Sequence, residues 1–297
     1  MELRGTRGSI VALVTPFDEN GRPDFDRLGE LIDWHIQQGT DGIVTLGTTG
    51  ESATMTQEED DEVCQFTIDR VAGRIPVIAG SGSNCTEAMI DRSLRFERMG
   101  ADGLLLIAPY YNKTNEEGMY RHFADVADRV SIPCILYNVP GRTGCRIPER
   151  VVERLSHHPM IYGIKEASGD MSYAMKIARY LSEDFVMFSG NDDITIPILS
   201  IGGSGVISVL ANIMPRETHE MVMNYIEGRT AEASAQQLEY LELINDLFTE
   251  VNPIPVKTAL GIMGRCLPVM RMPLYDMSEA AREQLTGSMR RAGLICG

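Results

Sequence analysis

Eight apolar segments recur along the first 213 residues of the chain, and each one ends in polar or glycine-rich residues. Each segment is apolar along most of its length and not only at alternate positions, which is typical of parallel strands buried on both faces. The segments begin roughly 20 to 35 residues apart, so each gap has room for one helix. They cover residues 9–16, 42–50, 75–82, 103–111, 133–141, 162–168, 185–192 and 205–213.

The gaps between these segments show helical patterns. Leu28, Leu31 and Ile32 fall on one face of a helix that Asp24 is placed to cap. Residues 56–59, Thr-Gln-Glu-Glu, form a capping-box pattern. The predicted helices cover residues 25–38, 56–72, 86–99, 115–129, 148–155 and 171–181, with two turns possible in the short gap 193–201. After residue 214 the pattern is helical throughout, over residues 215–227, 230–250, 255–264 and 278–292.

Alternation of eight strands with helices in a chain of 297 residues predicts an α/β fold, a (β/α)8 TIM barrel. We expect the barrel to span residues 1–225 and a C-terminal helical extension to span residues 226–297. A doubly wound open sheet is the alternative, and it is weakened because no Gly-x-Gly-x-x-Gly follows the first strand.

Composition narrows the possible functions. The net charge of −15 argues against binding to nucleic acid or to an anionic membrane surface. No apolar run approaches the ~20 residues of a membrane span, and residues 10–14 are too short a run for a signal peptide. The six cysteines form no Cys-x-x-Cys and are not spaced with histidines as zinc ligands are, which predicts free thiols in a reducing cytoplasm.

One of the four lysines lies inside a predicted strand. Lys113, Lys176 and Lys257 fall in a loop, on a polar helix and at a helix start, whereas Lys165 interrupts the apolar segment 162–168. A buried lysine loses charge more easily, and the neutral amine can form a Schiff base with a ketone. A lysine at a strand end that reaches water or pairs with Glu166 is the alternative interpretation.

The chemistry of a barrel lies at the carboxyl ends of its strands. Those ends supply an amine, an arginine and several hydroxyl groups, but no cluster of histidines and carboxylates such as a metal site needs. We therefore expect covalent amine catalysis without a metal or cofactor. Each element also has a plainer interpretation: residues 47–50 as a tight turn, Tyr110 and Tyr111 as core aromatics, and Arg142 as a surface residue.

Five motifs carry a resemblance to a known family. The sequence reads GTTGES at 47–52, YNVPGRTG at 137–144, GIKEA at 163–167, GVISV at 205–209 and NPIPVK at 252–257. The chain resembles, over nearly its whole length, the dihydrodipicolinate synthase family of pyruvate-dependent class I aldolases, the superfamily that includes N-acetylneuraminate lyase. The arginine of YNVPGRTG is specific for the synthases within that superfamily.

The resemblance implies roles for individual residues. Lys165 would form the Schiff base with pyruvate, whose carboxylate Thr48 and Thr49 would bind. Tyr137 would be the general acid and base, exchanging protons through Thr48 and through Tyr111 of a neighbouring subunit.

The remaining site residues implied by the resemblance concern the second substrate and the pocket wall. Arg142 would hold the carboxylate of L-aspartate 4-semialdehyde. Gly190 and Ile207 would contribute backbone to the pocket. The implied product belongs to the diaminopimelate and L-lysine biosynthesis pathway, and the implied assembly is a homotetramer, a dimer of dimers.

Feedback inhibition by L-lysine is common in the family, at a site between subunits. Ser52, Ala53, Asn84 and Tyr110 match that possible allosteric site. Three further positions depart from the inhibited pattern, and they are Gln57, Asp60 and Ala88. We therefore expect weak or absent inhibition by lysine.

Two other functions stay open at this point. Another aldolase of the superfamily, such as a sialic acid lyase or a sugar-acid dehydratase, would share Lys165 and Tyr137 but would not need Arg142. A barrel without catalytic activity could serve as a metabolite sensor. Retention of every expected catalytic position argues against the sensor.

Overall fold

Eight parallel strands form a closed barrel in the computed structural model, which describes residues 3–296. Each strand pairs with its neighbours in chain order, and the last pairs with the first. The strands are β1 (Gly8–Ala12), β2 (Gly42–Thr45), β3 (Val77–Gly80), β4 (Gly103–Ile107), β5 (Cys134–Asn138), β6 (Ile161–Glu166), β7 (Val186–Ser189) and β8 (Gly205–Ser208). The predicted TIM barrel is confirmed.

Helices connect the strands and continue beyond the barrel. Those within the barrel are α1 (Phe25–Gln37), α2 (Gln57–Val71), α3 (Thr86–Met99), α4 (Glu116–Ala127), α5 (Pro140–Thr143), α6 (Glu149–Ser156), α7 (Met171–Ala178) and α8 (Thr195–Ser200). Those after it are α9 (Pro215–Ile226), α10 (Thr230–Asp246), α11 (Ile254–Ile262) and α12 (Glu279–Arg291). The Asp24 cap and the capping box of Thr56 and Glu59 are present as predicted.

The strands end two to five residues before the predicted segments do, because the last residues of each segment form the loops of the site. The segment 42–50 is strand only to Thr45. Beyond it the chain turns, with a hydrogen bond from Gly50 N to Gly47 O and a left-handed backbone at Glu51. The helix α5 and three short 3₁₀ turns at 52–54, 192–194 and 210–212 were not predicted from the sequence.

The barrel separates two apolar clusters. The larger cluster lies between the strands and the surrounding helices, and the smaller one fills the barrel interior. On β5, Ile135 and Tyr137 belong to the interior cluster, whereas Leu136 belongs to the outer one. Tyr137 is the register partner of Lys165 on β6, so Lys165 lies on the interior side.

The helices after the barrel pack in sequence onto its outer surface. The helix α9 contacts β1, α10 contacts α9 and α12, and α11 contacts α12. These contacts do not test the predicted boundary between the barrel and the C-terminal extension at residue 226, which stays a prediction. No helix in the described part of the chain is both long enough and apolar enough to cross a membrane.

Candidate active site

Lys165 lies near the carboxyl end of β6 with only 5 % of its surface exposed. Burial lowers the pKa of its ammonium group to about 8; the nearby charge of Asp192 opposes this effect, and that of Arg142 adds to it. At pH 7 about a tenth of such amines are neutral. The strand therefore presents a lysine that can act as a nucleophile near neutral pH.

Tyr137 lies beside this amine on the neighbouring strand. The Lys165 Nζ atom is 4.5 Å from the centroid of the Tyr137 ring. Burial raises the pKa of the Tyr137 phenol, while the charge of Arg142 and a hydrogen bond with the Thr48 side chain oppose that rise. The phenol is therefore protonated near neutral pH and is linked to the Thr48 hydroxyl, an arrangement that suits proton transfer.

Thr48 and Thr49 lie in the turn that follows β2. The Thr49 side chain is buried, and its Oγ1 accepts a hydrogen bond of 2.9 Å from Asn252 Nδ2. Two residues later, Glu51 takes up a left-handed backbone conformation with φ of 57°. Residues outside the barrel strands thus fix the orientation of this hydroxyl-rich turn.

Glu51 forms a fully buried ion pair with Lys257 of α11. The Lys257 Nζ to Glu51 Oε1 distance is 2.6 Å, and both side chains have no exposed surface. The other carboxylate oxygen, Oε2, accepts a hydrogen bond from Arg271 N. Lys257 Nζ also lies 4.1 Å from the centroid of the Phe17 ring. The helix α11 of the extension is therefore tied to the turn that carries Thr48 and Thr49.

Arg142 lies on the short helix α5, after β5. Its Nη2 donates a hydrogen bond of 2.9 Å to the backbone oxygen of Asn252. Asn252 thus contacts both Arg142 and Thr49. The guanidinium group keeps its remaining donors for an anion, and a planar fork of this kind matches a carboxylate.

Two neighbouring cavities open at this end of the barrel. The first, which we name the lysine cavity, has a volume of about 90 Å³ and contains Lys165, Thr49, Ala167, Gly190 and Asn191. The second, the side cavity, has a volume of about 300 Å³ and extends toward β3, β4 and Arg92. Both are lined by Gly47, Thr48, Leu105, Tyr137, Arg142 and Asn252. The predicted amine, phenol, hydroxyls and arginine therefore meet at one place.

Three further residues predicted for the site differ in where they lie relative to the two cavities. Gly190 borders the lysine cavity, where a Cβ atom would lie 2.5 Å from Ala167 Cβ, so no larger residue fits. Ile207 is buried in the barrel interior and is not among the described residues that line the two cavities. Tyr111 is 90 % exposed, with φ of 68°, and is not among the described residues that line the two cavities of its own chain.

The residues of the possible allosteric site lie around the side cavity. Ser52, Ala53 and Tyr110 line it, and Asn84 Nδ2 donates to the Tyr110 backbone oxygen at 3.2 Å. Asp60 forms a buried ion pair with Arg92.

Arg92 also connects that ion pair to Ser52, since its Nη2 donates to Ser52 Oγ at 2.6 Å. A guanidinium group of the protein itself thus holds the carboxylate of Asp60. Within residues 3–296, no three or more histidine, cysteine, aspartate or glutamate side chains are grouped so that they could hold a metal ion.

Comparisons with known proteins agree with this geometry. Residues 5–292 match the model of the Dihydrodipicolinate synthetase family. The chain belongs to the dihydrodipicolinate synthetase family. Two relatives named 4-hydroxy-tetrahydrodipicolinate synthase, from Clostridium tetani and a Thermoanaerobacter species, are 52% and 50% identical over 290 residues. These alignments cover 97% of this chain and 98% and 97% of the relatives.

A solved structure of the same family is similar along the whole fold. The chloride-inhibited dihydrodipicolinate synthase of Acinetobacter baumannii, complexed with pyruvate, is 41% identical and superposes with a TM-score of 0.95. The match covers 98% of this chain and 100% of that one.

Sequence reasoning missed three residues that hold the dihydrodipicolinate synthetase site together: Glu51, Asn252 and Lys257. All three belong to the GTTGES and NPIPVK motifs, but neither motif states which of its polar side chains are buried. One signal was available, because Lys257 is preceded by Val256 and followed, after Thr258, by Ala259 and Leu260. A lysine inside such a segment is rarely fully buried unless it is paired.

We predict that Lys257→Met destabilises the protein by about 3–5 kcal/mol, because the variant leaves the Glu51 carboxylate buried and unpaired. The double variant Glu51→Gln/Lys257→Met should recover most of that loss, because it removes both buried charges. Chemical denaturation at fixed protein concentration measures the change in the free energy of unfolding.

The matched control for this prediction is Arg291→Met, which breaks an ion pair with Glu242 whose two side chains are 58% and 62% exposed. An exposed pair contributes about 1 kcal/mol or less. Equal losses in Lys257→Met and Arg291→Met would contradict the importance assigned to the buried pair.

Proposed function

We propose that the protein is a 4-hydroxy-tetrahydrodipicolinate synthase that condenses pyruvate with L-aspartate 4-semialdehyde through a Schiff base on Lys165. Membership of the dihydrodipicolinate synthetase family supports the overall reaction. The observation that carries the mechanism is the buried Lys165 amine, with a pKa of about 8, beside the Tyr137 ring.

The first step is attack of the neutral Lys165 amine on the keto carbon of pyruvate. The attacking nitrogen loses one proton and the carbonyl oxygen gains one, which gives a neutral carbinolamine; a second proton on that oxygen lets it leave as water, which forms the iminium. The Tyr137 ring lies beside the amine, and the hydrogen bond of its hydroxyl with Thr48 gives the proton a route away. The hydroxyl of Thr49 and the turn around it suit the pyruvate carboxylate.

The second step forms the carbon–carbon bond. The iminium withdraws electrons from the pyruvate methyl group, which loses a proton to give an enamine. The enamine carbon attacks the aldehyde carbon, the carbonyl electrons move to oxygen, and the Tyr137 hydroxyl supplies the proton of the new alcohol. Arg142, at the mouth of both cavities, is suited to hold the carboxylate of the aldehyde in two hydrogen bonds.

The last step releases the enzyme. The amino group of the condensed product attacks the iminium carbon and displaces the Lys165 amine, which closes a six-membered ring. No oxidant, reductant or cofactor enters this sequence, since the lysine amine supplies the electron sink. The reaction places the protein in diaminopimelate and L-lysine biosynthesis.

Assembly into a homotetramer, a dimer of dimers, is part of the same proposal. A tyrosine that is 90 % exposed in a left-handed backbone conformation is unfavourable on a free surface, and Tyr111 fits better as a residue shared with a second copy. The proposed location is the cytoplasm, in keeping with six free cysteines.

We predict that borohydride reduction in the presence of pyruvate gives one stable pyruvate adduct per chain, read by intact mass, and that Lys165→Ala gives none. Because the neutral amine reacts, the initial trapping rate should rise about tenfold per pH unit at pH well below 8 and level off above it. Lys176→Ala, which removes an exposed lysine of α7, is the control and should trap pyruvate normally. Trapping in Lys165→Ala would refute the assignment.

We also predict that Arg142→Ala lowers kcat/KM for L-aspartate 4-semialdehyde about 100-fold, because a charge-assisted bidentate contact is lost. Pyruvate trapping should continue in this variant. Arg150→Ala, which removes an exposed arginine of α6, is the control for general effects of lost charge. Full condensation activity in Arg142→Ala would favour another aldolase of the superfamily.

We further predict weak or absent inhibition by L-lysine. Asp60 is already paired with Arg92, and Arg92 is bonded to Ser52, so a guanidinium group of the protein already binds the carboxylate beside the side cavity. A steady-state assay of condensation should therefore show little loss of rate with millimolar lysine. Strong inhibition by sub-millimolar lysine would contradict this prediction.

A further inference from the structure

Asn252 lies between the two groups proposed to receive the substrate carboxylates. It lies in the segment of the extension between α10 and α11, and only 5 % of its surface is exposed. Its side-chain Nδ2 donates to Thr49 Oγ1 at 2.9 Å, and its backbone oxygen accepts from Arg142 Nη2 at 2.9 Å. A single residue thus bonds both the pyruvate side and the aldehyde side of the site.

The contact with Thr49 determines where the Thr49 hydroxyl can donate its own proton. Because Thr49 Oγ1 accepts the amide N–H of Asn252, its O–H is free to turn toward an anion in the lysine cavity. Without the amide, the hydroxyl could rotate to other acceptors, and part of the binding energy for pyruvate would be spent on orienting it.

The contact with Arg142 works through the backbone. Arg142 is otherwise exposed at the end of a four-residue helix, and a long side chain in that position samples many rotamers. The carbonyl of Asn252 holds one Nη of the guanidinium group and limits those rotamers. The position of that carbonyl is fixed on one side by the Thr49 contact and on the other by α11, through the Lys257–Glu51 ion pair.

We infer that Asn252 is a positioning residue that orients Thr49 for pyruvate and Arg142 for the aldehyde, and so couples the two carboxylate sites. The inference rests on the proposed function, which it deepens by adding a residue that contacts neither reacting atom. The coupling runs through Asn252, whose amide holds Thr49 and whose carbonyl holds Arg142.

The test uses the full-length protein and two substitutions, Asn252→Ala and the nearly isosteric Asn252→Asp. The pyruvate concentration that half-saturates borohydride trapping should rise about tenfold in Asn252→Ala, the effect of one lost hydrogen bond with an anion-binding group. Trapping at saturating pyruvate should stay complete. In Asn252→Asp the rise should be at least as large, because a carboxylate would then lie close to the bound pyruvate carboxylate.

A double-mutant cycle separates positioning from a general loss of structure. If Asn252 acts through Thr49, adding Asn252→Ala to Thr49→Val should change the half-saturating pyruvate concentration by less than about twofold. In the same way, adding Asn252→Ala to Arg142→Ala should not raise KM for the aldehyde further. The inference would be overturned if the effects of the two substitutions multiplied in both cycles. It would also be overturned if the half-saturating pyruvate concentration were unchanged in Asn252→Ala and Asn252→Asp.

Asn224→Ala is the matched control. Asn224 also makes two side-chain hydrogen bonds, with Gln236 and Arg229, but it lies on α9, outside the residues that line the two cavities. The substitution Asn224→Ala should leave the half-saturating pyruvate concentration and the KM for the aldehyde unchanged. The pyruvate measurement depends only on the trapped adduct and not on condensation. If the unmodified protein traps pyruvate but does not condense the aldehyde, the proposed function is refuted. The trapping measurements on the variants would still decide the role of Asn252.

Discussion

Removal of a lysine ammonium group from water is the constraint on which the rest of the structure depends, and the protein meets it twice in different ways. At Lys165 burial lowers the pKa to about 8, although the charge of Asp192 opposes this effect. At Lys257 burial also lowers the pKa, but the charge and hydrogen bond of Glu51 oppose it directly. The unpaired lysine is left reactive, whereas the paired one becomes an anchor.

The second lysine makes the C-terminal helices part of the active site. Lys257 holds Glu51, Asn252 holds Thr49 and Arg142, and Arg271 binds Glu51 through its backbone and Glu59 through two hydrogen bonds of 2.6 Å. These contacts tie the extension to the turn after β2, to α5 and to the start of α2. A TIM barrel places its chemistry on loops, which are mobile unless they are held, and here the extension supplies the restraint.

Much of this architecture could be predicted from local sequence pattern, because a parallel barrel is built from repeated units of one strand and one helix. The strand that carries Lys165 and the rim that gathers Thr48, Tyr137 and Arg142 follow from that repetition. The strand ends were predicted too long, because the turn at 47–50 is as rich in small residues as the strand before it. Contacts such as Glu51–Lys257, separated by 206 residues, leave no periodic signal. The sequence therefore indicated the lysine that is proposed to react but not the lysine that holds the loop.

Electrostatics explains why Arg142 can serve two purposes in a strongly acidic protein. The net charge of −15 repels both carboxylate substrates at long range, but a distance of about 8 Å is enough to screen surface charges in physiological salt. Within that distance the positive charge of Arg142 dominates for an approaching carboxylate. The same charge lowers the pKa of Lys165 and favours the neutral amine that must attack pyruvate. The positive charge of Arg142 also disfavours the cationic iminium relative to the neutral enamine. The residue proposed to bind the second substrate therefore promotes formation of the enamine, the nucleophile that attacks this substrate.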